Sequence, residues 1–275
     1  MWFNLMYNNS IYITEGHPRG MASNLICLLG ALRKYPDKKI VIVPPFMSLY
    51  ALDQCNGFNH FFKCLNRVSC RQEALRTCEK KEIFDMGKFF PLPSYEEDML
   101  SNGGASTDVI ESLSIVFSIE LRFTEDCADY IRSHLRLLKY HGAWNYGVHR
   151  RASDHGMHTK ILKVENFSNK IAMFLKAEKV AFVASDDLSF YNTLCSDTNC
   201  KIIGIPAERS GNSVGVHFMP SSSENRVKRG YDVLTDIVAL SHSREILCGA
   251  SGIPVVAKTF NPATKLVNIT GEKWN

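Results

Sequence analysis

The chain has 275 residues, of which 45% are hydrophobic and 22% charged, the balance of a soluble globular protein with room for one large or two modest domains. A formal net charge of +4 is too slight for the basic stripe that a nucleic-acid partner demands, and it suits a local site for a small phosphorylated ligand better. The nine cysteines are odd in number and include no Cys-x-x-Cys pair, so they read as buried thiols in a reducing compartment, not as a disulfide framework. Cys55, Cys64, Cys70 and Cys78 lie near His60, but their spacing matches no familiar zinc site and no metal is expected. The stretch from Met1 to Ile13 lacks a leader's basic head and apolar core, and no apolar run approaches the ~20 residues of a bilayer span. The expectation is a cytoplasmic protein with no transmembrane segment.

In chain order, Ser10 to Thr14 alternates and is rich in β-branched residues, which predicts a first strand. A turn-rich loop, Glu15 to Gly20, leads into a helix from about Met21 to Arg33, with Met21, Leu25, Leu28, Leu29 and Leu32 on one face. Asn24 in its first turn is expected to point back toward that loop. Lys39 to Pro44 is wholly apolar after its lysine, the pattern of a central parallel strand, so the chain opens as a βαβ unit. Residues 46–100 give only apolar patches between basic residues, with a helix suggested by Phe46, Leu49, Tyr50 and Leu52. They read as an irregular insertion completing a first domain, on the acceptor side. A helix follows from near Thr107, and Thr124 caps another in which Glu125 and Asp126 complement the positive helix end.

Next comes Tyr146-Gly147-Val148-His149-Arg150-Arg151-Ala152-Ser153-Asp154, a strand end running into a loop. It delivers two arginines, a histidine and an aspartate to the carboxyl edge of a sheet, where open α/β sheets bind ligands. Arginine suits phosphate because its planar fork makes paired, charge-assisted hydrogen bonds. Period-two alternation places His149 and Arg151 on one side and Arg150 on the other. Arg150 is therefore expected to face solvent or an acidic surface partner, and its loss to cost little. Beyond the loop, a helix from about Val164 to Lys176, a strand Val180 to Ala184, a helix Leu188 to Cys195 and a strand Lys201 to Ile205 continue the alternation. Residues 206–228 read as a long Ser/Gly/Asn-rich loop, Tyr231 to Leu240 as a helix, and Glu245 to Cys248 as a strand before the Gly249–Gly252 turn and an apolar segment, Ile253 to Ala257.

His149, Arg151 and Asp154 fit His-x-Arg-x-x-Asp, and this resembles the signature of the superfamily of inverting, GT-B-fold fucosyltransferases, the α1,2-, α1,6- and protein O-fucosyltransferases. Three further features agree with it. Gly20 to Asn24 is a loose form of the superfamily's Gly-x-Gly-Asn-like loop, although a loop capping an ordinary helix reads equally well. Ser185-Asp186-Asp187 resembles its acidic strand end, with a helix N-cap as the plain alternative. Asp236, Leu240 and Ser241 match its Asp-x-x-x-φ-x-x-Leu-Ser helix, ahead of a Ser/Gly turn at residues 249–252. Ser251-Gly252-Ile253-Pro254 departs from the Ser-x-Phe-Ser of many relatives, and animal Golgi members carry a membrane anchor not seen here.

The resemblance implies an α/β, GT-B-like fold, two Rossmann-like domains facing across a cleft, with residues 1–141 as the first and 142–275 as the nucleotide-sugar-binding second. It implies transfer of a sugar, fucose from GDP-fucose by first choice, to a glycan or glycoconjugate hydroxyl with inversion and without a cofactor. Arg151, His149 and Asp154 would form the catalytic set. Gly20, Asn24, Ser185, Asp186, Asp187, Gly249, Ser251 and Gly252 would bind the donor nucleotide and diphosphate. Glu15, His17, Asp154 and His155 are the candidates for a base or acceptor contact. The rival readings are a different donor such as UDP-xylose, a catalytically silent sugar-nucleotide-binding protein, and an unrelated Rossmann enzyme such as a methyltransferase. The opening loop lacks the dense glycine run that the last would favour. The sequence says nothing of oligomeric state.

Overall fold

The computed structural model describes residues 10–14, 20–43, 45–50, 57–70, 83–85, 107–151, 164–210, 216, 219, 222–249 and 251–269. Two parallel sheets divide them. The first has the order β4-β2-β1-β5, built from β1 (Ser10–Thr14), β2 (Lys39–Ile42), β4 (Val68–Cys70) and β5 (Ile83–Asp85). The second has the order β11-β10-β7-β8-β9, from β7 (Tyr146–Arg150), β8 (Val180–Ser185), β9 (Lys201–Ile203), β10 (Glu245–Cys248) and β11 (Lys265–Asn268). A small antiparallel pair, β3 (Phe62–Cys64) with β6 (Leu121–Phe123), lies outside both.

The helices follow the apolar periodicities. α1 (Met21–Lys34) is buried over most of its length because it packs inside the first half. α2 is a single turn (Phe58–Phe61), and α3 (Thr107–Glu120) precedes β6. α4 (Glu125–Lys139) starts at the expected cap, with the Thr124 hydroxyl accepting from the Cys127 N–H. In the second half, α5 (Val164–Leu175) and α6 (Leu188–Asp197) cover one face of the sheet, while α7 (Ser223–Ser241) and α8 (Gly252–Phe260) cover the other. Strand alternation fixes the division. Val148, Ala181, Val183 and Leu247 pack toward α5 and α6, whereas Phe182, Ala184, Ile246 and Cys248 join the core under α7.

That α7 core is continuous with the core of the first half, where Ile13, Leu25, Ile42 and Phe61 lie. α8 leaves its own sheet to pack on α1 and α3, and Phe260 at its end meets Phe117 with ring centroids 4.6 Å apart. The two halves thus face each other across a cleft while sharing one buried seam.

Three expectations need correction. The region 46–100 is no mere insertion, since β4 and β5 extend the first sheet on both sides. In place of a helix around Phe46 to Leu52, the described residues form one 3-10 turn, Ser48–Tyr50. The supposed loop up to residue 228 ends early, because Ser222 caps α7 by accepting from the Asn225 N–H. Gly230 then sits inside that helix for a packing reason: a side-chain carbon there would collide with the Phe61 ring. No helix among the described residues is long and apolar enough to cross a membrane.

Candidate functional site

The carboxyl ends of β7 and β8, the turn after β10 and the start of α1 converge on a cleft of about 240 Å³. Its walls come from both halves. Gly20 to Ser23 and Tyr50 form one side, and His149, Arg151, Asp186, Ser251 and Gly252 form the other. A face of α7 closes it with Arg229, Asp232, Val233 and Asp236, spaced as one helical stripe.

Two helix N-termini meet here. Gly20 precedes α1 in an extended conformation with no side-chain cap, and Tyr50 accepts the Met21 N–H at 3.2 Å. α8 begins opposite, so close that a methyl group placed on Gly252 would lie 3.4 Å from the Ala22 Cβ. First-turn N–H groups that make no intrahelical hydrogen bond, and the positive ends of both helices, make this a place for an anion.

His149 is buried and builds the corner. A backbone carbonyl can only accept, so Nδ1 carries the proton donated to Ala184 O, 3.1 Å away. Nε2 lies 3.0 Å from the Ser251 hydroxyl and, with Nδ1 carrying the proton, accepts its hydrogen bond. Ser251 in turn accepts from the Ile253 N–H, which caps α8. One side chain therefore ties β7, β8 and the start of α8 together, and Arg151 follows two residues later on the same side.

Arg150 takes the opposite side, but that side is covered. Its guanidinium pairs with Asp187 and lies over the rings of Phe190 and Phe167, 5.3 and 5.8 Å from their centroids. Asp187 also accepts from the Ser189 and Phe190 N–H groups as the cap of α6. Burial alone would raise its carboxyl. Those hydrogen bonds and the nearby guanidinium overcome it, and the group ends below the usual carboxylate range.

The sequence-derived residues divide accordingly. Arg151, His149, Gly20, Ser185, Asp186, Ser251 and Gly252 all line the cleft. Asp187 does not; its oxygens are turned to Arg150 and the start of α6. The Ser185 hydroxyl donates to Arg150 O at 2.8 Å and accepts the Asp187 N–H, which latches the two strand ends together. Asn24 is fully buried and off the cleft wall, because a 100° step per residue carries it past the cleft-facing Met21, Ala22 and Ser23 into the core. Gly249 follows β10 without lining the cleft. Glu15, His17, Asp154 and His155 lie outside the described residues.

The α7 stripe joins the site as well, and Arg229, Asp232 and Asp236, at three- and four-residue steps, are the signal for it in the sequence. Arg229 donates to Glu208 Oε2 at 2.9 Å and to Met219 O at 2.9 Å. Asp232 accepts from the Tyr130 hydroxyl at 2.6 Å and from Lys228 Nζ at 2.8 Å. Asp236 is different: its Oδ1 is sealed from water and has no hydrogen-bond partner among the described residues. Burial, reinforced by the Asp232 charge and opposed by Arg209, pushes this carboxyl well above its usual range.

No protein-family model matches the sequence, and no curated protein matches it. Solved structures do. The NodZ α-1,6-fucosyltransferase soaked with GDP-fucose superposes with a TM-score of 0.60 at 14% identity, over 92% of this chain and 93% of that one. Another structure of NodZ is of the protein from Bradyrhizobium. FUT1 from Arabidopsis thaliana, in complex with GDP, gives 0.55 at 9% identity over 92% of this chain and 68% of that one. POFUT1 in complex with GDP-fucose gives 0.52 at 12% identity over 95% and 96%. In fold, then, the chain is similar to fucosyltransferases: two parallel α/β halves of the GT-B kind, facing across a cleft.

Proposed function

We propose that this protein is a glycosyltransferase that takes a sugar, fucose by first choice, from a GDP-linked donor and passes it with inversion to a hydroxyl group of a glycan or glycoconjugate. The observation that carries the reading is the meeting of two helix N-termini, one from each half, at a cleft lined by Arg151. Such a cradle suits the doubly charged diphosphate of a nucleotide sugar. Two structures similar in fold over more than nine-tenths of their length, NodZ soaked with GDP-fucose and POFUT1 in complex with GDP-fucose, support the choice of donor.

In this reading the acceptor oxygen attacks the anomeric carbon as its bond to the diphosphate breaks, and the acceptor's proton leaves with a base. Negative charge gathers on the departing diphosphate. Arg151 and the N–H groups at the starts of α1 and α8 are fixed in advance where that charge develops, so they stabilise the transition state more than the ground state. His149 acts one step back, holding Ser251 and the start of α8 in place. No metal or cofactor takes part.

Asp236 favours guanine over uracil. A carboxylate with an unsatisfied buried oxygen calls for adjacent donors, and the guanine edge offers N1–H and the exocyclic amine side by side. Uracil offers one N–H between two carbonyls, which would meet a carboxylate with repulsion. Thermal-shift and transfer measurements with GDP-fucose, GDP-mannose, UDP-xylose, NAD and S-adenosylmethionine test the reading. Stabilisation and sugar transfer with GDP-fucose are expected. Stabilisation by NAD or S-adenosylmethionine alone would overturn it, and stabilisation by UDP-xylose alone would replace the donor.

A further inference from the structure

We propose that docking of the base at Asp236 is coupled to loss of a proton, and that Asp232, one turn earlier on α7, raises the pH at which this happens. The inference rests on the guanine-donor reading above and adds a regulatory property and a positioning residue to it.

The geometry supplies the reason. Asp236 lines the cleft, and its Oδ1 is buried without a hydrogen-bond partner among the described residues. Asp232 lies on the same helical face and is held by hydrogen bonds from the Tyr130 hydroxyl and Lys228 Nζ. The nearby cation, Arg209, is committed elsewhere: it donates to Ala207 O at 3.3 Å and Ile205 O at 3.2 Å and stacks on Tyr191, 4.4 Å from its centroid. The other charged or titratable groups on the cleft wall are Glu208 and Arg229, already paired with each other, together with His149, Arg151, Asp186 and Tyr50. α1 and α8 present no charged residue there. Burial acts most strongly on Asp236, and among the described residues Arg209 opposes it while the like charge of Asp232 reinforces it.

Burial and the like charge therefore extend the neutral form of Asp236 to higher pH than in a free carboxyl. Two N–H groups of guanine demand the carboxylate, so the proton must pass to solvent as the base docks. The neutral acid, with one donor and one acceptor, instead complements the N–H and carbonyl of uracil. Affinity for a guanine nucleotide should rise with pH by up to about tenfold per unit while Asp236 titrates, and affinity for a uracil nucleotide should not.

Calorimetric titration with GDP-fucose and UDP-xylose from pH 5.5 to 8.5 tests this, since neither esterified diphosphate titrates in that range. Using buffers of different ionisation enthalpy counts the protons released. Wild type should bind GDP-fucose more weakly as the solution is acidified, by up to about tenfold per unit while Asp236 titrates, and release up to one proton per base bound. Asp236→Asn, which mimics the neutral acid in shape, should bind GDP-fucose more weakly at pH 8, lose the pH dependence and discriminate less against UDP-xylose. Asp232→Asn should move the wild-type curve to lower pH. A flat wild-type curve with Asp236→Asn still weakened overturns the proton coupling and leaves the base contact standing. An unshifted Asp232→Asn curve removes the role of Asp232. If Asp236→Asn binds like wild type while Arg151→Ala does not, the base contact is wrong but the donor reading survives. Absence of GDP-fucose binding altogether overturns both.

Discussion

Arg150 and Arg151 are neighbours in the chain but end on opposite sides of the second sheet. The first is buried between Phe167 and Phe190 and paired with Asp187, while the second opens into the cleft. Replacing them should therefore produce two separable defects. Arg151→Ala should leave the melting temperature near that of wild type and lose on the order of 2–5 kcal/mol of donor binding and turnover combined. Arg151→Lys should also be poor, because a point charge does not replace a planar fork. Arg150→Ala should instead cost roughly 3–5 kcal/mol of stability, since it strands a partly buried carboxylate. Denaturant melts and GDP titrations of the three variants decide it. A stable Arg150→Ala that has lost nucleotide affinity would reverse the assignment.

The same ion pair sets an acid limit. The Asp187 carboxyl lies below its ordinary value in the folded protein, so its contribution is complete above the unfolded value of about 3.9 and disappears as the pH falls through the folded value. The stability gap between wild type and Arg150→Ala should be full near pH 6 and narrow below about pH 4. A gap that stays constant down to pH 2 would mean that the Arg150–Asp187 attraction contributes nothing.

Ser251 has two duties, capping α8 and satisfying His149. Ser251→Ala removes both and should cost about 1–3 kcal/mol, with nucleotide affinity falling in parallel. Ser251→Thr keeps a hydroxyl group and should recover most of the loss. Equal stability of the alanine variant and wild type would show that the His149 contact is idle.

If helix ends and Arg151 neutralise the leaving diphosphate, sugar transfer from GDP-fucose should persist in EDTA at the rate seen without it. Loss of turnover on chelation with recovery on adding manganese would place the countercharge on a metal instead.

Much of this arrangement could be read from the residues. α1, the Thr124 cap and the strand ending in His149 and Arg150 carry strong local signals, and the structure follows them. What escaped was decided by distant contacts. Period-two alternation separates Arg150 from Arg151 but cannot reveal that α5 and α6 roof the far side. The first two turns of α7 carry almost no apolar periodicity and end in a glycine, so they read as a loop; the Ser222 cap starts the helix, and only contact with Phe61, about 170 positions earlier, explains the glycine at 230. β4 and β5 are three residues each, too short for alternation to register, and they exist because β1 and β2 offer edges to pair with. Asp236 was visible as one residue of a motif. Its missing hydrogen-bond partner becomes visible only when α7 is laid against the cleft.

α8 begins at the anion cradle and ends among the aromatic rings of the first half, with Phe260 against Phe117 and Phe123. Over nine residues it spans about 13 Å as a stiff rod. A disturbance of the aromatic socket would swing the far end of that rod and pull Ser251 off His149. Variants at Phe117 or Phe260 should thus mimic a ligand-contact defect while touching no ligand. In a mutational screen of this protein, a loss of nucleotide affinity marks either the cradle itself or the lever that aims it.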